Sequence, residues 1–100
     1  MERYRSASQQ RVLRVLVVLG GHELEGIAPG DVARALDIAP SAVTHDLANL
    51  ALAGLAERLD TGRWRLTPRI TQIAIALLNG VSRARRKLDE VEQRYTRTPY

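Results

Sequence analysis

The chain contains no cysteine and no phenylalanine, and it has one tryptophan, one methionine and a single lysine in 100 residues. Without cysteine, disulfides and thiolate metal sites are excluded, and the redox compartment is left open. Without phenylalanine, the core has to be assembled from Leu, Ile, Val and Ala, which suits small, closely packed helices. No apolar run approaches the ~18 residues of a membrane span. The opening MERYRSASQQ lacks the apolar stretch of a secretory signal. There is no Gly-rich phosphate loop and no nucleophile motif, and the two histidines, His22 and His45, stand alone. No catalytic constellation or metal site follows from such a set. These absences predict one soluble cytoplasmic domain that is not an enzyme and carries no cofactor.

Charge says less than its total suggests. The net charge is +4, yet residues 1–68 carry eight arginines against eight acids. Residues 69–100 carry seven basic groups against three acids, which accounts for the whole excess. An argument from bulk basicity to nucleic acid therefore fails for the core and has to be remade residue by residue.

Residues 1–7 read as a flexible arm with Arg3 and Arg5, either a solvated tail or a segment reaching into a DNA groove. Ser8 is the expected N-cap of a first helix ending at Gly20-Gly21. Leu13, Leu16, Val17 and Gly20 lie at helical spacing on its inner face, widened by Val12, Val15 and Leu19, with Arg11 and Arg14 toward the other side. His22 to Gly26 is a polar loop, and Ile27 begins a very short strand. Pro29-Gly30-Asp31 starts a second helix whose inward face is Val32, Ala33 and Leu36. A break at Asp37 and a buried Ile38 lead to a third helix opened by Ala39-Pro40-Ser41.

On this third helix Val43, Leu47 and Leu50 recur at i, i+4, i+7 and define a core face. The far side holds Ser41, Thr44, His45 and Ala48, flanked by Ala42 and Asn49. All are small or hydrogen-bonding. An ordinary solvated face would more often carry Glu and Lys, whereas a helix entering the major groove needs short polar groups that reach base edges. Asp46 sits at the edge between the faces, where it can cap or pair with an arginine. Gly54 ends the helix. Leu55–Leu59 and Arg63–Leu66 then read as two strands around an Asp60-Thr61-Gly62 turn. Trp64 and Leu66 face the core, while Arg63 and Arg65, with Arg58, are expected to project toward a sugar-phosphate backbone. Two helices, a tight turn and a hairpin make a helix-turn-helix with a wing over residues 8–68.

These residues resemble the N-terminal DNA-binding domain of the IclR family of bacterial transcription regulators. The likeness rests on the helix at Arg11 to Leu19, DVARALDIAPSAV, Leu47-x-x-Leu50, Gly54-Leu55-Ala56-Glu57-Arg58 and above all Thr61-Gly62-Arg63-Trp64-Arg65-Leu66-x-Pro68-Arg69. It spans roughly residues 8–78. It implies a winged helix-turn-helix from a prokaryote or phage and carries recognition-helix roles onto Ser41, Ala42, Thr44 and His45. Asp46 departs from the apolar residue usual there. The family's large C-terminal effector-binding domain has no counterpart in these residues, so no small-molecule effector is carried over.

Ile70, Ala74, Leu77, Val81, Ala84, Leu88, Val91 and Tyr95 are spaced 4, 3, 4, 3, 4, 3, 4, an a/d heptad pattern. A helix of ~26 residues would be about 39 Å long, too long for so small a domain to bury. Its first half (Ile70, Ile73, Ala74, Leu77) is expected to pack on the domain. The rest, through Leu77, Val81, Ala84, Leu88, Val91 and Tyr95, is expected to pair with a second copy as a dimeric coiled coil over residues 69–95. A single helix folded back on its own domain is the alternative. Gly80 is a candidate bend, and residues 96–100 are expected to fray. The sequence thus predicts a mainly α protein with a small β-wing, acting as a homodimeric, sequence-specific binder of double-stranded DNA at the nucleoid. The rival is a winged helix used for protein–protein contacts without specific DNA binding.

Overall fold

The computed structural model describes residues 1–97. The expected fraying of residues 98–100 lies outside the described residues. The chain divides into two units, Met1–Ile70 and a second beginning at Thr71.

The first unit opens with a single 3-10 turn, Glu2–Tyr4, followed by helix α1, Ala7–Leu19. Ser6, not Ser8, caps α1. Its hydroxyl accepts the Gln9 amide at 3.3 Å, and Ser8 lies inside the first turn with its Oγ 3.2 Å from that of Ser6. Two nearby serines can each supply the capping oxygen, and the earlier one gives the longer helix. The inner face also differs from the sequence reading. Val15 and Leu19 are fully buried, with Val12, Leu16 and Val18 packed around them, while Leu13 is half exposed and Val17 is 77% exposed. The run VLRVLVVL is apolar nearly all round, so its periodicity does not select a face. The orientation instead puts Arg11 on the core side, at i, i+4, i+8 with Val15 and Leu19.

Helix α2, Pro29–Leu36, starts on a proline and ends at Asp37, whose φ of 54° is left-handed. Asp tolerates that conformation, and the Ile38 amide closes back on the Ala33 carbonyl at 3.1 Å. The chain then turns at once into α3, Pro40–Leu52, so the tight turn between the helices is Asp37 to Ala39. Helix α3 buries Val43, Leu47 and Leu50, as its spacing predicts. It ends in a Schellman closure, with Leu55 N–H on Leu50 O and Gly54 N–H on Ala51 O, both 2.9 Å. Gly54 takes the positive φ, 77°, that this closure requires.

Strands β1, Ala56–Arg58, and β2, Trp64–Leu66, pair antiparallel with Ala56 opposite Leu66 and Arg58 opposite Trp64. The Gly62 amide returns to Leu59 O, and the Leu59 amide bonds Arg63 O, which closes a three-residue hairpin loop. Ile27 forms a bridge to Trp64 on the other edge of β2, where the sequence placed a minimal strand. Trp64 and Leu66 pack against the core.

Gly26 lies beside that bridge at φ 72°, and a Cβ there would sit 2.9 Å from the Trp64 carbonyl oxygen. Backbone cannot yield as a side chain would. Gly26→Ala is therefore expected to destabilise the protein by about 1–3 kcal/mol, measured as a lower midpoint of urea unfolding. Gly21→Ala, where a Cβ would meet nothing within 4 Å, separates the cost of conformation alone from that of the clash.

The long helix α4 runs from Pro68 to Thr96, 29 residues, unbroken through Gly80. At its start the Thr67 hydroxyl accepts the Arg69 amide and donates to Gly54 O at 2.6 Å. No residue of α4 is buried. Within this helix Ile73 and Leu77 are exposed, Leu77 at 68%. Among the described residues, no helix is long and apolar enough to cross a membrane.

Candidate nucleic-acid interface

Burying Val43, Leu47 and Leu50 turns the opposite side of α3 outward. Ser41, Thr44, His45, Ala48 and Asn49 are exposed, and Ala42 is half-buried. The Thr44 hydroxyl donates to Pro40 O at 3.2 Å, and the Asn49 amide donates to His45 O at 2.9 Å. Both bonds are local to the helix and exposed, so each group can exchange its partner for another acceptor by a rotamer change. The face presents hydroxyl, imidazole and carboxamide groups and no fixed charge.

Asp46 does not share this face. It is buried, its side chain 4% exposed, and it receives a bidentate pair from Arg11, Nε to Oδ2 at 2.7 Å and Nη2 to Oδ1 at 2.9 Å. Pairing with an arginine was one of two roles legible in the sequence. That the arginine is Arg11, on the inner face of α1, was not. The hydrogen bond to Asp46 raises the Arg11 pKa above its ordinary value, with the carboxylate's charge adding to it. A raised pKa means that this stabilisation is complete below the unfolded value and is lost only as pH rises beyond it, in strong alkali. The clamp fixes α3 to α1, and His45 Nδ1 lies 3.9 Å from Asp46 Oδ1 at its outer edge.

The wing arginines divide. Arg58 is exposed and, among the described residues, its guanidinium has no hydrogen-bond or ion-pair partner. Arg63 and Arg65, expected to project toward phosphate, turn inward instead. Arg63 Nε and Nη2 donate to the Glu25 and Gly26 carbonyls at 3.0–3.2 Å. Arg65 pairs with Glu57 at 2.7 Å and donates to Glu23 O at 3.2 Å. Strand alternation gives the side of a sheet a residue occupies, but not whether neighbouring carbonyls take its donors first. The two arginines tie β2 to the loop before Ile27. The Glu23 carboxylate in that loop accepts the Gly21 amide at 2.8 Å, a bond that lowers its pKa. The support it lends is present above the ordinary glutamate range and fades as pH falls through the lowered value.

Elsewhere on this unit, Leu13, Val17, Val18 and Leu36 line an apolar groove of about 280 Å³ between α1 and α2, with Gln10 and Arg14 at its edge. Sequence reasoning missed it because it placed Leu13 and Val17 in the core. No group of three or more metal-ligating side chains is found among the described residues.

No family model matches the chain, and no curated protein matches it. Solved structures are similar to it, three of which follow. The ORF112 Zα domain of Cyprinid herpesvirus 3, in a structure of its binding mode to Z-DNA, aligns over 62% of this chain and 100% of its own, with 22% identity and TM-score 0.54. The Agrobacterium tumefaciens repressor BlcR aligns over 89% of this chain at 21% identity and TM-score 0.62. This chain spans only about a third, 35%, of BlcR. A mutant of S. aureus MepR bound to an oligodeoxyribonucleotide aligns over 85% of this chain and 70% of its own, with 25% identity and TM-score 0.55. With the elements described above, these likenesses establish the fold as a mainly helical winged helix-turn-helix with a long C-terminal helix.

Proposed function

We propose that this protein is a transcription regulator of the IclR type that binds double-stranded DNA sequence-specifically as a homodimer and works at the nucleoid. The observation that carries the reading is the outward face of α3, where Ser41, Thr44, His45 and Asn49 stand exposed beside small alanines. Each reading helix enters a major groove, and Arg58 on the wing meets the flanking backbone. Two of the similar structures are described with DNA, one with Z-DNA and one with an oligodeoxyribonucleotide, which supports a DNA partner for the same fold here. The IclR assignment rests on the Thr61 to Arg69 segment and its neighbours. No small-molecule effector and no catalytic role are proposed.

Sequences selected from random DNA by the protein should converge on a palindrome with half-sites about 10 bp, or a multiple, apart. Thr44→Ala with His45→Ala should lower the preference for that site over random duplex by tenfold or more, since a good base contact discriminates by about 1–3 kcal/mol. Unchanged preference would show that α3 is not the reader. Arg58→Ala should instead weaken every sequence alike and reduce the slope of log affinity against log salt by about 1. Arg63→Ala, whose guanidinium is engaged internally, should lower stability more than the salt slope.

A second reading, a winged helix for protein contacts, is favoured by the apolar groove at Leu13, Val17 and Leu36 and by the balanced charge of residues 1–68. A duplex titration at physiological salt separates the two, because a contact module shows no site preference.

A further inference from the structure

The second half of α4 is polar except at its a/d positions, and the whole stripe is open to solvent. Leu77, Val81, Leu88, Val91 and Tyr95 are all exposed. The proposed homodimer assigns this stripe to a second copy but leaves the direction of pairing undetermined. We infer that two α4 helices pair parallel and in register, because only that direction matches the residues flanking the stripe. The inference rests on the homodimer reading above.

The spacing sets the heptad. Ala74, Val81, Leu88 and Tyr95 are a positions, and Ile70, Leu77, Ala84 and Val91 are d positions. The flanking e positions are then Thr71, Leu78, Arg85 and Glu92, and the g positions Ile73, Gly80, Lys87 and Arg94. In a parallel dimer each g residue faces the e residue five positions on in the partner. Ile73 then meets Leu78, both exposed in the single chain, and Lys87 meets Glu92. Among the described residues neither Lys87 nor Glu92 has an ion-pair partner within its own chain. Symmetry doubles each contact, giving two apolar flanks near the start of the helix and two ion pairs toward its end. Arg85 faces only Gly80.

Antiparallel pairing brings e against e and g against g. At full overlap it sets Ile73 against Arg94, Leu78 against Arg85, Thr71 against Glu92 and Lys87 against Gly80. No ion pair forms, and two apolar flanks face guanidinium groups. A shift of one heptad in one sense opposes Lys87 to Lys87 and Arg85 to Arg85. The opposite shift matches Leu78 with Leu78 but sets Ile73 against Lys87 and Thr71 against Arg85, and either shift gives up a heptad of overlap. The sequence around the seam is thus sorted, apolar flanks early and charged flanks late, and only a parallel pair matches both the apolar flanks and the charged ones. Val81 at a beside Leu77 at d also suits two strands.

Direction has a consequence for DNA. Each α4 begins at Pro68, two residues beyond the wing strand. A parallel pair brings both wings to one end of the coil, where two reading units can share one duplex. An antiparallel pair would start its two helices at opposite ends of a rod about 44 Å long.

The chain has no cysteine of its own, so single cysteines report direction directly. Leu88→Cys and Val91→Cys, each in the full chain, should form disulfide-linked dimers under mild oxidation. A mixture of separate Leu77→Cys and Leu88→Cys proteins should give no crosslink between the two kinds, since those positions meet only in the antiparallel pair. Lys87→Glu should weaken dimerisation about tenfold through two reversed pairs, and Lys87→Glu with Glu92→Lys should restore it. A dimeric mass with crosslinking only in the Leu77→Cys and Leu88→Cys mixture would overturn the direction and leave the homodimer intact. A monomeric mass by sedimentation would overturn both.

Discussion

Replacing Arg11 by methionine is expected to cost this protein about 3 kcal/mol of stability, the scale for a buried carboxylate left without its cation. For a domain of this size that lowers the thermal midpoint by about 12 °C or more. The argument turns on the asymmetry of the pair. Asp46 is only 4% exposed, whereas Arg11 is 29% exposed and can turn to solvent. Asp46→Asn keeps the side chain's shape and removes the charge, and the freed Arg11 rehydrates, so that variant should lose distinctly less. The double variant Arg11→Met with Asp46→Leu should recover most of the loss, because well-packed apolar residues commonly replace a buried ion pair at little net cost. Thermal unfolding of the three variants checks the ordering. Equal losses from Arg11→Met and Asp46→Asn would show that the carboxylate is not stranded and that the clamp is only a surface pair. DNA binding is a second readout. The clamp fixes the angle of α3 against α1, so Asp46→Asn should weaken site preference before it weakens the fold.

That clamp also marks how far the sequence could be read. The helices α2 and α3, the turn at Asp37, the core positions Val43, Leu47 and Leu50 and the Asp60-Thr61-Gly62 hairpin follow from spacing and turn chemistry. Those signals are local, and each lies within a dozen residues. The face of α1 was misread because eight residues of VLRVLVVL hold seven apolar side chains, which leaves no polar stripe to orient the helix. What orients it is Arg11 reaching Asp46 35 residues away, a pairing that periodicity does not encode. The same holds for Arg63 and Arg65. Their partners include the carbonyls of Glu23, Glu25 and Gly26, and a backbone acceptor leaves no trace in side-chain identity. At the wing only Arg58 is left unengaged among the described residues, while on the α3 face proposed to meet DNA the residues singled out from sequence are exposed, with Ala42 partly withdrawn.

Leu88→Asp is expected to turn the protein into a monomer and to weaken its binding to a full palindromic site by about 10²–10⁴-fold, the range over which linking two binding modules raises avidity. In the single chain Leu88 is 69% exposed, so aspartate there meets water and leaves the winged-helix unit with its ordinary unfolding midpoint. In the pair, two carboxylates would face each other in an apolar seam, where an unpaired charge costs several kcal/mol. The same exposure that makes the substitution harmless to one copy makes it prohibitive for two. Helical content should also fall, since most of a helix's stability comes from packing its amphipathic face, which α4 loses with its partner. Ser82→Asp, one residue past Val81 and outside the seam, is the control and should change none of these quantities. Sedimentation gives the mass, circular dichroism the helix, and titration of full and half sites the affinity. Monomeric Leu88→Asp should bind a half site as tightly as the parent does and lose only the gain from the second. If its affinity for the full site survives with the mass halved, the two reading units act independently, and specificity lies wholly within one copy of α3.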